Sequence, residues 1–172
     1  MRSKSDISNS ALRIFLQEVG KFYDSQRGFD PFVPKKKQKS NLLEYFDYKC
    51  CYCGVDIDES TISQDHLIPM NKEHLGLHAW GNVVPCCRSC NNKKQQAPWD
   101  DFLKGKADGK EYTKRKKQIL FFVSEMKYDP NLNLHDYADN LYHDVGEVAL
   151  TLINLRYMQA EEKIRTLVSK RG

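Results

Sequence analysis

Apolar residues recur at spacings of three and four near both ends of the chain. The first set is Ala11, Ile14, Phe15, Val19, Phe22 and Tyr23. This set predicts one apolar face of a helix capped at Asp6 or Ser8. The second set is Leu141, Val145, Val148, Leu152 and Leu155, which alternates spacings of four and three. Such a seam is typical of packed helices. Two alternatives stay open, namely packing within the chain, for example on the first helix, and a contact with a second copy or a partner.

The middle of the chain has a different pattern. Apolar residues at 55, 57, 62, 67 and 68 stand singly or in pairs among polar ones, with an acidic turn at 58–60. This predicts a β-hairpin whose second strand runs from about Thr61 to Leu67 and is stopped by Pro69. A short helix around residues 42–46 is predicted before the hairpin. Another, from Arg88 to about Gln95, is predicted after it.

Helical patterns dominate the remainder. A short amphipathic stretch starts at Pro98, a helix with a basic first turn follows near residues 114–117, and a long helical segment reaches Arg171. Two strands followed by a helix, with helices on both sides, indicate the α+β class. We divide the chain into an N-terminal helix with a basic linker (1–39), a core (40–96) and a C-terminal helical region (97–172).

Composition restricts the class of protein. The chain has 172 residues, a net charge of +4 and a mean hydropathy of −0.67. No apolar run approaches the roughly 20 residues that cross a bilayer, so no membrane role is expected. The N-terminal sequence lacks the apolar core of a secretory signal. We therefore expect a reducing, cytoplasmic location, where cysteines bind metal rather than form disulfides.

All six cysteines fall within residues 50–90, and four of them have the spacing of metal ligands. These form two CxxC pairs, Cys50 with Cys53 and Cys87 with Cys90. A CxxC turn brings two thiolates to one side of a bend, and two such turns supply the four ligands of a tetrahedral zinc site. Zinc enclosed in this way is structural. Disulfide bonds are the alternative, because six is an even number.

Two cysteines and two histidines of this stretch have no predicted ligand role. Cys51 and Cys86 each adjoin a proposed ligand. We interpret them as small buried hydrophobic residues, with an exchanged role left open. His74 and His78 are predicted to be exposed to solvent, and metal binding by this pair is the less favoured alternative.

The same stretch resembles the HNH endonuclease superfamily, whose core is a ββα-metal fold. The matching segments are CCYCG at 50–54, DHLIP at 65–69, Asn82, and CRSCNNKK at 87–94. They occur in the family's order and cover about residues 40–96. The resemblance implies a zinc-stapled ββα core and metal-dependent hydrolysis of DNA to 5′-phosphate and 3′-hydroxyl ends.

The resemblance also implies a role for each polar residue of the motif. His66 is the expected general base, since an imidazole with an ordinary pKa of about 6.5 is largely neutral at a pH of about 7.5. Asp65 and Asn91 are expected to hold a catalytic Mg²⁺ or Mn²⁺ ion through oxygen atoms. Asn82 is expected to steady the loop and the base. Asp65 and His66 would point to opposite faces of an ideal strand, so their shared site requires a bend or a strand end.

Several basic residues are candidates for contacts with nucleic acid, either near the motif or in basic runs: Lys93, Lys94, Lys35, Lys36, Lys37, Lys114 and Arg115. The expected partner is DNA, with a regulatory protein or a homodimer as further possibilities, and the expected setting is restriction or anti-phage defence. The main alternative is a non-catalytic zinc module that binds nucleic acid or protein. A nuclease acting on single strands or RNA is a third hypothesis.

Overall fold

Six helices and a two-stranded sheet make up the part of the chain that the structure describes. A computed structural model describes residues 3–33 and 35–169, with side chains up to residue 165. The elements are α1 (Lys4–Gln26), α2 (Lys36–Glu44), β1 (Ile62–His66), β2 (Val83–Cys87), α3 (Arg88–Lys94), α4 (Trp99–Lys104), α5 (Gly109–Glu125) and α6 (His135–Ser169). The α+β class predicted from the sequence is confirmed. Arg171, the predicted end of the last helix, lies outside the described residues.

The two strands and α3 form a ββα unit. β1 pairs antiparallel with β2, from Ile62 opposite Cys87 to His66 opposite Val83. The predicted hairpin is wrong in its first strand, because residues 55–57 contribute only an isolated bridge between Lys49 and Asp56. The true partner of β1 is the segment VVPCC, whose Pro85 obscures its strand character. Proline is tolerated there because each strand of a two-stranded sheet has a free edge.

Three helices begin earlier than predicted. α1 starts after Ser3, whose hydroxyl accepts from the Asp6 N–H while the Asp6 carboxylate accepts from the Ser3 N–H, a reciprocal capping box. α2 starts at Lys36, so the lysine run forms its first turn and is not a linker. α5 starts at Gly109, which places the basic run at 114–117 inside the helix.

α6 packs against α1 over only part of its length. Lys4 of α1 pairs with Glu147, and the hydroxyls of Ser5 and Tyr142 lie 3.2 Å apart. Gly146 lies so close to α1 that a Cβ there would be 2.6 Å from the Ser8 hydroxyl. The N-terminus of α1 therefore reaches only the middle of α6.

The predicted seam of α6 is correspondingly divided. Leu141 and Val145 are half-buried. Val148, Leu152 and Leu155 are 59%, 54% and 49% exposed. Packing within the chain is thus confirmed for the first part of the seam alone. None of the helices in the described ranges is both long and apolar enough to span a membrane.

Candidate metal centre and catalytic cavity

Four cysteine sulfurs gather where the loop before β1 meets the start of α3. The thiols of Cys50, Cys53, Cys87 and Cys90 all lie within 4.8 Å of one another. The Sγ atoms of Cys53 and Cys87 are 3.7 Å apart. A tetrahedral site with Zn–S bonds of about 2.3 Å has sulfur–sulfur edges of about 3.8 Å, so the donor set fits a single metal ion. Within the described residues all six cysteines are free thiols, which argues against the disulfide alternative.

Burial disfavours the ionised form of two of the four clustered thiols. Burial raises the pKa of the Cys50 and Cys90 thiols, so these groups do not ionise readily by themselves. A divalent cation would hold them as thiolates and release their protons. The neighbouring Cys51 and Cys86 are 3% and 0% exposed and lie outside the cluster. Their interpretation as small buried residues is confirmed.

Asp65 and His66 lie at the opposite end of β1. His66 is the last residue of the strand, and both side chains line one open cavity of about 620 Å³. Successive side chains of an ideal strand point to opposite faces of the sheet. Because His66 is the last residue of β1, it can line the same cavity as Asp65. Asn91, which is half-buried on α3, lines the same cavity. The structure therefore brings these three predicted residues together.

The Asp65 carboxylate is bound on its buried side. Its Oδ2 accepts a hydrogen bond from the Tyr52 hydroxyl at 2.6 Å and lies 3.0 Å from the Lys94 Nζ. The same ammonium donates to the His66 carbonyl oxygen at 2.8 Å. Burial raises the pKa of Asp65, and the charge of Lys94 opposes that rise. Lys94 is fully buried here, so its charge serves the carboxylate and not a phosphate on the surface.

The His66 ring contacts a second histidine. Its Nε2 lies 3.0 Å from the Nδ1 of His78, and the ring planes are tilted by 47°. Loss of hydration lowers the pKa of His66 to about 3, and the nearby cations add to this effect. The expectation of an ordinary pKa is therefore wrong, although the ring is neutral at pH 7.5 all the same. His78 is half-buried, which contradicts its predicted exposure, whereas His74 is exposed as expected.

Asn82 ties together the loop between the strands. Its Oδ1 accepts from the Ile68 N–H at 2.8 Å, and its Nδ2 donates to the carbonyl oxygens of Ile68 and Leu77 at 3.1 and 2.8 Å. The residue is fully buried. Gly76 is required beside it, because a Cβ there would lie 1.9 Å from the Ile68 oxygen. This placement suits the expected role of Asn82 in steadying the loop that carries His78.

The donors of the cavity fit a hard divalent cation. The Oδ1 of Asp65 has only a long contact of 3.4 Å to Lys94, which leaves it the less occupied of the two carboxylate oxygens. The Asn91 side chain has no hydrogen-bond partner among the described residues, so its amide oxygen is available in the same cavity. Carboxylate and amide oxygens are the ligands that Mg²⁺ and Mn²⁺ prefer.

The other basic candidates lie away from this cavity. Lys93 is exposed on α3, and Lys114 is exposed on α5. The lysines Lys35, Lys36 and Lys37 are exposed at the start of α2. Arg115 has a structural contact, since its Nη1 donates to the Tyr52 carbonyl oxygen at 2.6 Å inside the first CxxC turn. None of these six residues lines the cavity that holds His66.

Two residues in or beside the cavity were not predicted from the sequence to belong to the site. His78 adjoins the expected base, and the only signal for it is a second histidine between the Asp-His pair and Asn82. Arg13 of α1 lines the cavity from outside the motif altogether. Nothing in the pattern of α1 distinguishes it from a surface arginine, because its position depends on how α1 packs on the loop.

Comparison with known families agrees with this geometry. A family model described as HNH endonuclease matches residues 50–105. This segment is an HNH endonuclease domain. Among curated relatives, YoqL is an SPbeta prophage-derived protein of Bacillus subtilis strain 168 whose name assigns it to the HNH endonucleases. It is 29% identical over 71 residues, which cover 38% of this chain and 31% of YoqL. The Septu protein PtuB of Bacillus thuringiensis is 34% identical over 58 residues, which cover 33% of this chain and 23% of PtuB.

The likeness to known proteins covers only part of each relative. The matched residues span less than a third of the length of either curated relative. Among solved structures, the Type II-C Cas9 enzyme from Actinomyces naeslundii matches 75% of this chain and 16% of its own chain. The TM-score is 0.33 and the sequence identity is 20%.

Proposed function

We propose that this chain is a metal-dependent endonuclease that hydrolyses phosphodiester bonds of DNA. The observation that carries the proposal is the shared cavity of Asp65, His66 and Asn91 within the HNH domain. An acid, a neutral imidazole and an amide around one open space are the groups that metal-assisted hydrolysis requires. Arg13 adds positive charge at the same cavity, which favours a phosphate substrate.

His66 acts as the general base in this proposal. Its neutral ring takes a proton from a water molecule as the water oxygen bonds to phosphorus and the bond from phosphorus to the 3′ oxygen breaks. The lowered pKa keeps the ring neutral but makes it a weak proton acceptor. A bound phosphate would offset this effect, because its negative charge stabilises the imidazolium. The products carry 5′-phosphate and 3′-hydroxyl ends.

Asp65 and Asn91 would hold the catalytic Mg²⁺ or Mn²⁺ ion. When bound, a divalent ion supplies electrostatic stabilisation to the phosphate and the leaving oxygen. Lys94 and Tyr52 fix the Asp65 carboxylate from behind, so its Oδ1 is the atom directed to this task. Asn82 fixes the loop that carries His78, the residue in contact with His66.

The four-cysteine cluster is proposed to bind one structural zinc ion. All its donors are thiols. The four cysteines together would fill the tetrahedral coordination of zinc, so no position would be left for substrate. The ion would join the turn before β1 to the start of α3. It would thereby keep Asn91 beside Asp65 and His66.

Incubation of the zinc-loaded protein with supercoiled plasmid tests the function. We expect nicked or linear DNA with Mg²⁺ or Mn²⁺ and none without an added divalent ion. Parallel reactions with single-stranded DNA and with RNA of the same sequence should be slower. A protein that binds DNA but cleaves no nucleic acid with any divalent ion would support the non-catalytic zinc module instead. The buried ion pair between Asp65 and Lys94 is the observation that favours this alternative.

We also propose a role in restriction or anti-phage defence, with DNA as substrate and a protein partner or a second copy as regulator. The likeness to a Septu protein and to a prophage-derived HNH endonuclease supports this setting. Expression of the chain in a bacterial host challenged with phages tests it. Fewer plaques with the wild type than with His66→Ala are expected, and equal plaque numbers for both would contradict a nuclease-based defence.

A further inference from the structure

The cavity of the HNH domain continues into a second cavity along α1. The two cavities share four lining residues, Arg13, Met70, Asn71 and Gln96. The second extends past Asn9 and Ser10 to Asp6 in the first turn of α1, whose carboxylate accepts from the Ser3 N–H. Together they form one continuous depression, here termed the α1 groove, which runs from His66 along a helix outside the matched segment.

The α1 groove contains hydrogen-bond donors without acceptors. The Asn71 Nδ2 is buried and unpartnered. Its identity is fixed, because the Oδ1 of the same amide accepts from the N–H groups of Glu73 and His74 at 3.1 and 2.9 Å. The Gln64 Nε2 is also buried without a partner. A buried donor without an acceptor is destabilising, and a small shift of the Asn71 amide towards the cavity that it lines would let the Nδ2 reach an acceptor outside the chain.

Arg13 supplies charge beside these donors. Its side chain is exposed, it lines both cavities, and it forms no ion pair or hydrogen bond among the described residues. An unpaired guanidinium together with unpartnered amide N–H groups matches an anion with several acceptor oxygens. The Asp65 carboxylate is not that anion, because its partners are Lys94 and Tyr52 and it forms no hydrogen bond or ion pair with Arg13 or Asn71 among the described residues.

We propose that the α1 groove binds a second phosphate of the substrate strand, through Arg13 and the Asn71 Nδ2. The inference rests on the proposed nuclease function and adds to it a strand path along α1. Contacts of this kind fix the register of the strand and are insensitive to base sequence. They would place the neighbouring scissile phosphate at His66.

Two substitutions test the groove with little change to the fold. Arg13→Gln removes the charge of an exposed side chain. Asn71→Asp keeps the oxygen that accepts from Glu73 and His74 but replaces the free donor by a negative oxygen. Arg156→Gln is the matched control, because Arg156 is exposed on α6 and lines neither cavity.

Binding is measured by the fluorescence anisotropy of labelled DNA duplexes, with His66→Ala as the parent so that the DNA stays intact. We expect Arg13→Gln to raise Kd about 3- to 10-fold for unrelated sequences alike and to reduce the slope of log K against log salt by about 0.9. Asn71→Asp should raise Kd about tenfold or more. Arg156→Gln should match the parent.

The outcomes separate this inference from the proposed function. Unchanged Kd and salt slope for both groove variants would overturn the groove, even if the wild type cleaves DNA. Weaker binding by both variants would support the groove even if the wild type cleaves nothing, and the nuclease proposal alone would then fail.

A different observation carries a second inference, at the His66–His78 contact. At 3.0 Å one N–H must lie between the His66 Nε2 and the His78 Nδ1. His78 is held firmly, because its ring meets the edge of Phe32 and its backbone packs on Gly20, where a Cβ would lie 2.5 Å from the His78 oxygen. The His66 Nδ1 has no hydrogen bond among the described residues and is the atom left for a water molecule in the cavity.

We infer that His78 is a positioning residue for the base. It accepts from the His66 Nε2–H and so keeps the lone pair of His66 on Nδ1. Nitrogen NMR of the histidine rings tests this assignment without any cleavage assay, because protonated and unprotonated ring nitrogens resonate far apart. We expect a single His66 tautomer protonated on Nε2 in the wild type and a mixture in His78→Ala. A wild-type His66 protonated on Nδ1 would overturn the inference.

Cleavage kinetics supply the second readout. His78→Ala should lower kcat on the order of 10- to 10²-fold with little change in KM, the usual size for loss of an orienting partner. His78→Asn, whose Oδ1 occupies about the position of the Nδ1 acceptor, should recover most of the loss. His78→Gln, which places its amide farther out, should not. Equal kcat for the alanine and asparagine variants would contradict the positioning role.

Discussion

The two ends of the ββα unit present their ligand atoms in different ways. At the cysteine end, four sulfurs all lie within 4.8 Å of one another, close enough to enclose one metal ion. At the other end, Asp65, His66 and Asn91 line one side of an open cavity. A closed set of soft donors suits a structural ion, whereas an open set of oxygen donors suits an ion that must meet a substrate. We propose that this small unit separates stability from chemistry by placing them at opposite ends of β1.

The largest expected effect is at the cysteine end. Cys90→Ser should abolish stoichiometric zinc binding and cooperative unfolding, because zinc ligation contributes about 10 kcal/mol or more to folding in small zinc domains. Cys86→Ala is the matched control. It alters a fully buried cysteine outside the cluster and should cost about 1–2 kcal/mol while retaining one zinc per chain. Elemental analysis and thermal unfolding distinguish the two, and a folded, zinc-free Cys90→Ser protein would refute the structural role.

The second-largest effect is expected at the buried ion pair between Lys94 of α3 and Asp65 of β1. Lys94→Met should destabilise the fold by about 3–5 kcal/mol, because it leaves the buried Asp65 carboxylate without its counter-charge. Lys93→Met, at the exposed neighbouring position, should change stability by less than about 0.5 kcal/mol. Chemical denaturation measures both. Equal stability of the two variants would mean that the ion pair contributes nothing to the fold.

Acid should destabilise the end of the unit that carries Asp65 and His66, through protonation of His66. Its pKa of about 3 lies below the unfolded value of about 6.5, so the unfolded chain binds the extra proton first. The contribution of the neutral His66 ring to the free energy of unfolding is therefore complete above pH 6.5 and is lost as the pH falls towards 3. Between pH 6 and 4 the wild type should lose about 1.4 kcal/mol per pH unit more than His66→Gln.

The comparison with His66→Gln is needed because another group acts in the opposite sense. Burial raises the pKa of Asp24 to about 6, so its contribution falls as the pH rises from 4 to 6. The contribution of Asp24 is the same in the wild type and in His66→Gln, so it cancels when the stability of one protein is subtracted from that of the other at each pH. Identical pH dependence of the wild type and His66→Gln would show that the imidazole is not buried in its neutral form.

Sequence reasoning succeeded where residue type determines the structure locally. The CxxC spacing predicts the metal cluster because a tight turn fixes the two sulfurs of each pair, whatever the rest of the fold does. The Asp-His pair before Pro69 likewise predicts the end of a strand. Cys86 and Cys51 are buried as expected because a free thiol behaves as a small hydrophobic group.

Sequence reasoning failed where tertiary packing determines the position of a residue. β2 carries a proline and has no alternation, so only its pairing with β1 identifies it as a strand. His78 reaches His66 because Asn82 folds the loop back, and Arg13 reaches the cavity because α1 packs on that loop. The ion pair between Asp65 and Lys94 could not be predicted either, because the sequence does not show whether a lysine on α3 points into the protein or towards solvent.

The smallest expected effect lies outside the HNH domain, in α6. The part of α6 up to residue 147 packs on α1, whereas Val148, Leu152 and Leu155 are exposed. Hydrogen exchange should therefore be slower in residues 138–147 than in 151–160, by about tenfold or more, because an isolated helix of this length is only marginally stable in water. Equal protection would indicate that a second copy covers the apolar seam, and sedimentation at several concentrations would then detect the dimer.

In the proposed arrangement, stability and chemistry occupy different ends of the ββα unit. The most direct test measures zinc content and plasmid cleavage on the same preparation of His66→Ala, beside the wild type. We predict one zinc per chain in both proteins and a loss of cleavage on the order of 10²-fold or more in the variant. A zinc-loaded His66→Ala protein that cleaves DNA at the wild-type rate would contradict the account.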